Sequence, residues 1–219
     1  MGEDLRSGIL KKVLYIGNPA STLIRDRAQM SVSIGCRVIL LDFYNETDAE
    51  IEGVTVKRFF KSRVLNKFFA PFLLQSYIKT FSPDIIHVVW GLQDLASIVL
   101  AYHPNVVVST MGGDIMPADV PVGLRRKLLN LLYKTAAVIT VKSIYMEEVL
   151  RENFELGKKT RVERLNWGVK DRFFNADREL FRKHHNLGTE HVFLSIRTME
   201  PFYRHMEIAE AFVKYKKES

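Results

Sequence analysis

The chain is poor in several things that would narrow its function. Cys36 is its one cysteine in 219 residues, so no intrachain disulfide can form, which fits a reducing compartment. Long apolar runs are missing; none approaches the ~18–20 residues that span a bilayer. The opening stretch from Met1 to Lys12 mixes acids and bases without an apolar centre. It does not read as a secretory leader, and a cytoplasmic location is expected. There is no G-x-G-x-x-G, so a dinucleotide fingerprint is not supported. His184 and His185 are adjacent, which on a helix turns them to different sides and makes them poor co-ligands. No metal and no cofactor are expected. Zinc spacings, a helix-turn-helix and an RNP pattern are all lacking, so nucleic acid is not an expected partner. Acids are in deficit: 25 Asp and Glu face 32 Lys and Arg, a formal charge of +7 with a pI near 9.4. The charge by itself suggests an anionic partner, whether nucleic acid, a nucleotide or an acidic membrane face, and does not choose among them.

What is present is a regular alternation. Hydrophobic residues make up 47% of the chain, enough to build a core. Short runs rich in Val, Ile and Leu occur at 13–17, 37–43, 54–59, 85–90, 106–110, 137–141, 161–165 and 192–197. Several are apolar almost throughout, as expected of strands covered on both faces. Helical patterns lie between most of them, at 22–34, 64–81, 92–101, 122–135, 144–153, 178–185 and 204–217. Only a polar loop joins the second and third runs. The alternation predicts an α/β fold with a Rossmann-like, doubly wound, mostly parallel sheet. In such sheets ligands bind beyond the carboxyl ends of the strands. Those ends carry Gly17-Asn18-Pro19, Trp90-Gly91 and Met111-Gly112-Gly113-Asp114.

These residues are the candidate site. Gly17 and Asn18 open the turn into the first helix, where backbone N–H groups favour anions such as a diphosphate. The same turn also fits an ordinary βα connection capped by Ser21 or Thr22. Trp90, Gly91, Gly112 and Gly113 are placed to line a pocket. Asp114 is a candidate catalytic group able to accept hydrogen bonds from ligand hydroxyls; a turn-capping aspartate would look the same in sequence. His87 is a second candidate, with a packed strand histidine as its other reading. The segment from Lys57 to Phe69 interleaves aromatics with Lys57, Arg58, Lys61, Arg63 and Lys67 and contains no acid. It suits an anionic membrane surface. It suits equally a strand and helix with phenylalanines in the core and bases in water.

The order of these pieces resembles the N-terminal half of a retaining GT-B glycosyltransferase of the group 1 (GT4) type. Asp84-Ile85-Ile86-His87 is similar to the family's D-h-h-H element. The stretch from Val106 to Ile115 is similar to its v-v-x-T-x-H-G-x-D-i element, and that from Ala136 to Ser143 to its a-d-x-v-i-t-v-S strand. Asn166-Trp167-Gly168-Val169-Lys170 resembles the p-N-G-v-D that precedes the domain linker. Phe193-Leu194-Ser195-Ile196-Arg197, with Glu210-Ala211-Phe212, resembles the first strand and helix of the nucleotide-binding domain. Met111 stands where many relatives carry histidine, the Arg-x4-Lys pattern lacks its lysine after Arg197, and the E-x7-E region falls beyond Ser219.

The resemblance implies transfer of a sugar from a nucleotide-sugar to a lipid-linked or polysaccharide acceptor. It also implies retention of configuration, no essential metal, and Arg197 against the donor diphosphate. It divides the chain into an acceptor-side domain over 1–169 and, over 170–219, a linker and the first β-α unit of a donor-side domain. That reading makes the chain alone inactive and its final unit a place for dimer contact. Its location would then be peripheral on the inner face of the membrane. The rival reading is a non-catalytic membrane-anchoring or regulatory module that completes a site with a separate chain. A third is an unrelated Rossmann-type nucleotide binder.

Overall fold

The computed structural model describes residues 10–44, 48–116, 122–165, 177–189, 192 and 204–218. Seven strands form one sheet: β1 (Lys12–Ile16), β2 (Arg37–Asp42), β3 (Val54–Arg58), β4 (Ile85–Val89), β5 (Val106–Ser109), β6 (Val138–Val141) and β7 (Arg161–Arg164). Their order is β3-β2-β1-β4-β5-β6-β7. Every neighbouring pair is parallel. The sheet is thus wholly parallel where a mostly parallel one was expected. The chain reverses its direction of growth between β1 and β4, and this is the crevice in which doubly wound sheets hold ligands.

Burial follows position in the sheet. The central strands are apolar on both faces because both faces are covered. Val13, Leu14, Tyr15 and Ile16 of β1 are all buried, as are Val38 through Asp42 of β2. The edge strand β7 exposes Arg161, Glu163 and Arg164, and charged edges discourage pairing with other chains. On one face Val13, Tyr15, Val38, Leu40 and Val89 pack with Ile24 and Ala28 of α1 (Thr22–Ser33). On the other face Leu14, Ile16, Ile86, Val88, Val108 and Ile139 form the larger core. It is covered by α2 (Arg63–Phe81), α3 (Ala96–Leu100), α4 (Gly123–Thr135) and α5 (Ile144–Asn153).

α3 is shorter than the 92–101 expected from sequence. Trp90 and Asp94 both take positive φ, 79° and 46°, which an α-helix cannot accommodate. The Gln93 side chain donates to the Trp90 carbonyl at 2.7 Å and holds this turn. α2 is entered through a polar stitch. Buried Asn66 donates to the Phe60 carbonyl at 2.7 Å and accepts from the Phe60 N–H at 2.9 Å. Ser62 caps the helix by accepting from the Leu65 N–H at 3.4 Å.

The chain divides into two compact units, Met1–Trp167 and Gly168–Ser219. In the second, α6 (Arg178–His184) starts at Asp177, whose side chain accepts from the N–H groups of Glu179 and Leu180. It also contains α7 (His205–Glu218). The expected strand at 192–197, with Arg197, and the Asn166-Trp167-Gly168-Val169 turn lie outside the described residues, save Val192.

Candidate functional site

Three loops converge at the carboxyl ends of β1, β4 and β5. Asn18 and Ser21 come from the first, Trp90 from the second and Met111 from the third. With Ile24, Tyr44 and Val89 they line a cleft of about 280 Å³. Tyr44 arrives from the end of β2 and stacks on Trp90 with ring centroids 6.3 Å apart. Asn18 is pre-set for this position because its side-chain carbonyl accepts from the Ala20 N–H at 2.8 Å. Ser21 occupies the N-cap of α1 without a side-chain cap hydrogen bond.

The four candidate glycines separate into two kinds. A Cβ on Gly17 would lie 2.3 Å from Ile24 Cδ1, and one on Gly91 would lie 2.5 Å from the Tyr133 hydroxyl. These two glycines stand where the chain packs closely on itself. Among the described residues, nothing lies within 4 Å of where a Cβ on Gly112 or Gly113 would stand. Gly112 has φ +110°, where a side chain would be strained.

Asp114 is fully buried. Its Oδ1 accepts from the Met111 and Gly112 N–H groups at 2.9 and 3.1 Å. Its Oδ2 accepts from the Gly91 N–H at 2.8 Å and from the Tyr133 hydroxyl at 3.1 Å. Both oxygens are therefore occupied within the protein. Burial, with the carboxylate beside it, raises the Tyr133 phenol well above its ordinary value. The expectation that Asp114 meets sugar hydroxyls is corrected on this geometry: it ties the loop after β4 to the loop after β5. It shapes the cleft from behind and does not line it.

His87 lies in mid-strand on β4, below the cleft and not among its lining residues. Its Nε2 is 2.9 Å from Ser109 Oγ, which is 2.8 Å from Thr140 Oγ1. Its ring packs on Tyr15 at 4.9 Å. Burial, with a smaller push from the Arg27 charge, lowers its pKa to about 3. A neutral imidazole in this polar row is a packing group, and the reading of His87 as a catalyst gives way to the reading as a strand histidine.

The basic segment also divides. Arg58 turns inward to Asp42, 3.8 Å away and opposite it in the β2–β3 register, and donates to the Ala49 carbonyl. It is withdrawn from the expected membrane contacts. Phe59 packs at the core, against Phe43 and Tyr77. Lys57 and Lys61 are exposed, and Arg63 opens α2. Lys67 is exposed and pairs with Asp94 at 3.3 Å; Asp94 also takes Arg125 of α4 at 2.7 Å. Outward from α2 stand Val64 (75% exposed), Phe68 (61%) and Phe72 (69%), spaced by four on one helix face.

Tyr44, Asp94 and Arg125 were not picked out from sequence as site residues. Tyr44 could have been, since it sits two residues beyond a strand end beside the switch point. Arg125 is brought in by a contact 31 residues away in the chain.

Residues 12–143 match the family model described as Glycosyl transferase 4-like. The chain belongs to this family. The match runs from β1 to the start of α5 and so contains all three loops of the cleft. Among solved structures, sucrose-phosphate synthase from Thermosynechococcus elongatus is similar, with a TM-score of 0.64 at 13% identity. The similarity covers 81% of this chain and 53% of that one, so the chain spans about half the length of that protein. At this identity the likeness speaks for the fold. No curated protein sequence matches the chain. Among the described residues, no group of side chains could hold a metal ion, and no helix is long and apolar enough to cross a membrane.

Proposed function

We propose that this chain supplies the acceptor-side domain of a glycosyltransferase that moves a sugar, with retention, from a nucleotide-sugar to a lipid-linked acceptor. The observation that carries the reading is the switch-point cleft inside the family match. Asn18, Trp90 and Tyr44 are positioned there as two aromatic faces and an amide, a set suited to a sugar ring and its hydroxyls. The donor belongs with the second unit, toward which Arg197 is assigned by resemblance alone.

The lipid part of the proposal rests on α2. From Lys57 to Pro83 the chain has no acid and six bases, and the first half of α2 turns Val64, Phe68 and Phe72 outward. Phenylalanines entering the headgroup region while lysines meet lipid phosphates is the arrangement that binds anionic bilayers peripherally. An exposed apolar patch of this kind is uncommon on a soluble surface without a partner.

The test uses the protein in its natural full-length chain, with transfer followed from a panel of nucleotide-sugars to a membrane lipid extract. Asn18→Ala with Trp90→Ala should raise KM for the acceptor about tenfold or more, the loss of one to two kcal/mol of contact, with the KM for donor unchanged. A change confined to the donor KM would refute the acceptor-side assignment.

A further inference from the structure

Beside the cleft lies a second cavity of about 330 Å³ that shares Tyr44 and Trp90 with it. Phe43 joins these rings in its wall, and Lys67, Asp94 and Arg125 stand among its lining residues. Lys67 Nζ is 3.3 Å from Asp94 Oδ2, and Arg125 Nε is 2.7 Å from Asp94 Oδ1. Three separate elements thus bring two cations and one carboxylate to one aromatic hollow, leaving a net positive charge.

We propose that this cavity takes a phosphate group carried on the acceptor, held between Lys67 and Arg125, with the ring or chain that bears it against Tyr44 and Trp90. This rests on the acceptor-side reading above and names its substrate class. The side chains of Lys67 and Arg125 are 59% and 49% exposed. Ion pairs this open contribute little to folding and exchange partners readily. A guanidinium fork and an ammonium suit phosphate oxygens better than a single carboxylate does, because a phosphate carries more charge and offers more acceptors. Asp94 holds both cations over the hollow until the phosphate arrives. A neutral sugar would be served by Asp94 and the aromatic rings alone and gives no reason for two converging cations. Lys67 also adjoins Phe68, so a phosphate on a membrane lipid and a phosphate on a soluble sugar both offer this chemistry.

The experiment titrates the full-length protein, without donor, with octyl phosphate below its micelle concentration, a hexose 6-phosphate and inorganic phosphate, by calorimetry. At least one organic phosphate should bind with an affinity that falls as salt rises, and inorganic phosphate should compete with it. Preference for octyl phosphate would mark the lipid source; preference for the hexose phosphate would mark the soluble one. Lys67→Gln with Arg125→Gln should weaken binding by more than tenfold, while Lys67→Arg should keep it within about threefold. If the double variant does not fold, the exposed single change Lys67→Gln should still cost about fivefold. Binding of neither organic phosphate, or unchanged binding by the glutamine variants, would overturn the proposal. Because no turnover is measured, that failure would leave sugar transfer standing.

Discussion

α2 and α4 are made of similar material and are used differently. Both are rich in leucine or phenylalanine with scattered lysine and arginine, and both lie on the same face of the sheet. α4 turns Leu128, Leu129, Leu132 and Tyr133 inward and leaves Arg125, Lys127 and Lys134 outside. Its apolar content is used up by the fold, as an amphipathic helix predicts. α2 also has an inward side, with Ala70, Leu74 and Phe81 buried, yet keeps Val64, Phe68 and Phe72 in solvent. Folding buries most of the large apolar groups of α4, leaving Leu131 half-buried and Leu124 exposed. It does not account for the outer face of α2, and that residue of unexplained hydrophobicity is where function is read.

The contrast can be broken most strongly on the buried side. Leu132→Ala, at a fully buried position, should cost about 3 kcal/mol in urea unfolding, the usual price of a large core truncation. A loss below 1 kcal/mol would mean that α4 is not anchored as described. Next in size is the polar knot behind the cleft. Asp114→Asn should cost about 2 kcal/mol, because an amide nitrogen cannot accept the hydrogen bonds that one carboxylate oxygen now takes. Tyr133→Phe, losing one donor, should cost about 1 kcal/mol. Equal midpoints for Asp114→Asn and the parent protein would return Asp114 to the open cleft.

A pH-dependent effect, small near neutrality and growing in acid, is expected from His87. Its folded pKa of about 3 lies below the ordinary value of 6.5. Between these limits the unfolded chain binds the extra proton. His87 therefore contributes stability that is full above pH 6.5 and declines as pH falls toward 3, by at most about 1.4 kcal/mol per pH unit. His87→Phe, which keeps a ring against Tyr15, should flatten that part of the stability profile. An unchanged slope would show that His87 titrates normally.

The sheet was readable in advance because its central strands are continuous apolar runs, and burial on both faces leaves no other use for them. α3 was misread in length because the turn at Trp90–Asp94 depends on positive φ at two residues that are not glycine. The strand-end rule pointed to loops from which Asn18 and Trp90 join the cleft lining. It could not say which way a carboxylate faces. Asp114 turns inward because Tyr133 waits there, nineteen residues on in another element. The sorting of the basic segment was hidden for the same reason: Arg58 is captured by Asp42 across the sheet, and Lys67 by Asp94.

The outer face of α2 carries the account's central claim, and one pair of measurements on one variant tests it. Phe68→Ser with Phe72→Ser should leave stability in urea within about 1 kcal/mol of the parent, a loss that includes the Phe68–Phe69 edge contact. Sedimentation with anionic vesicles, salt-sensitive in the parent, should fall severalfold in the variant. A midpoint lowered by several kcal/mol, or vesicle binding equal to the parent's, would show that these phenylalanines serve the fold or another partner and not a lipid surface.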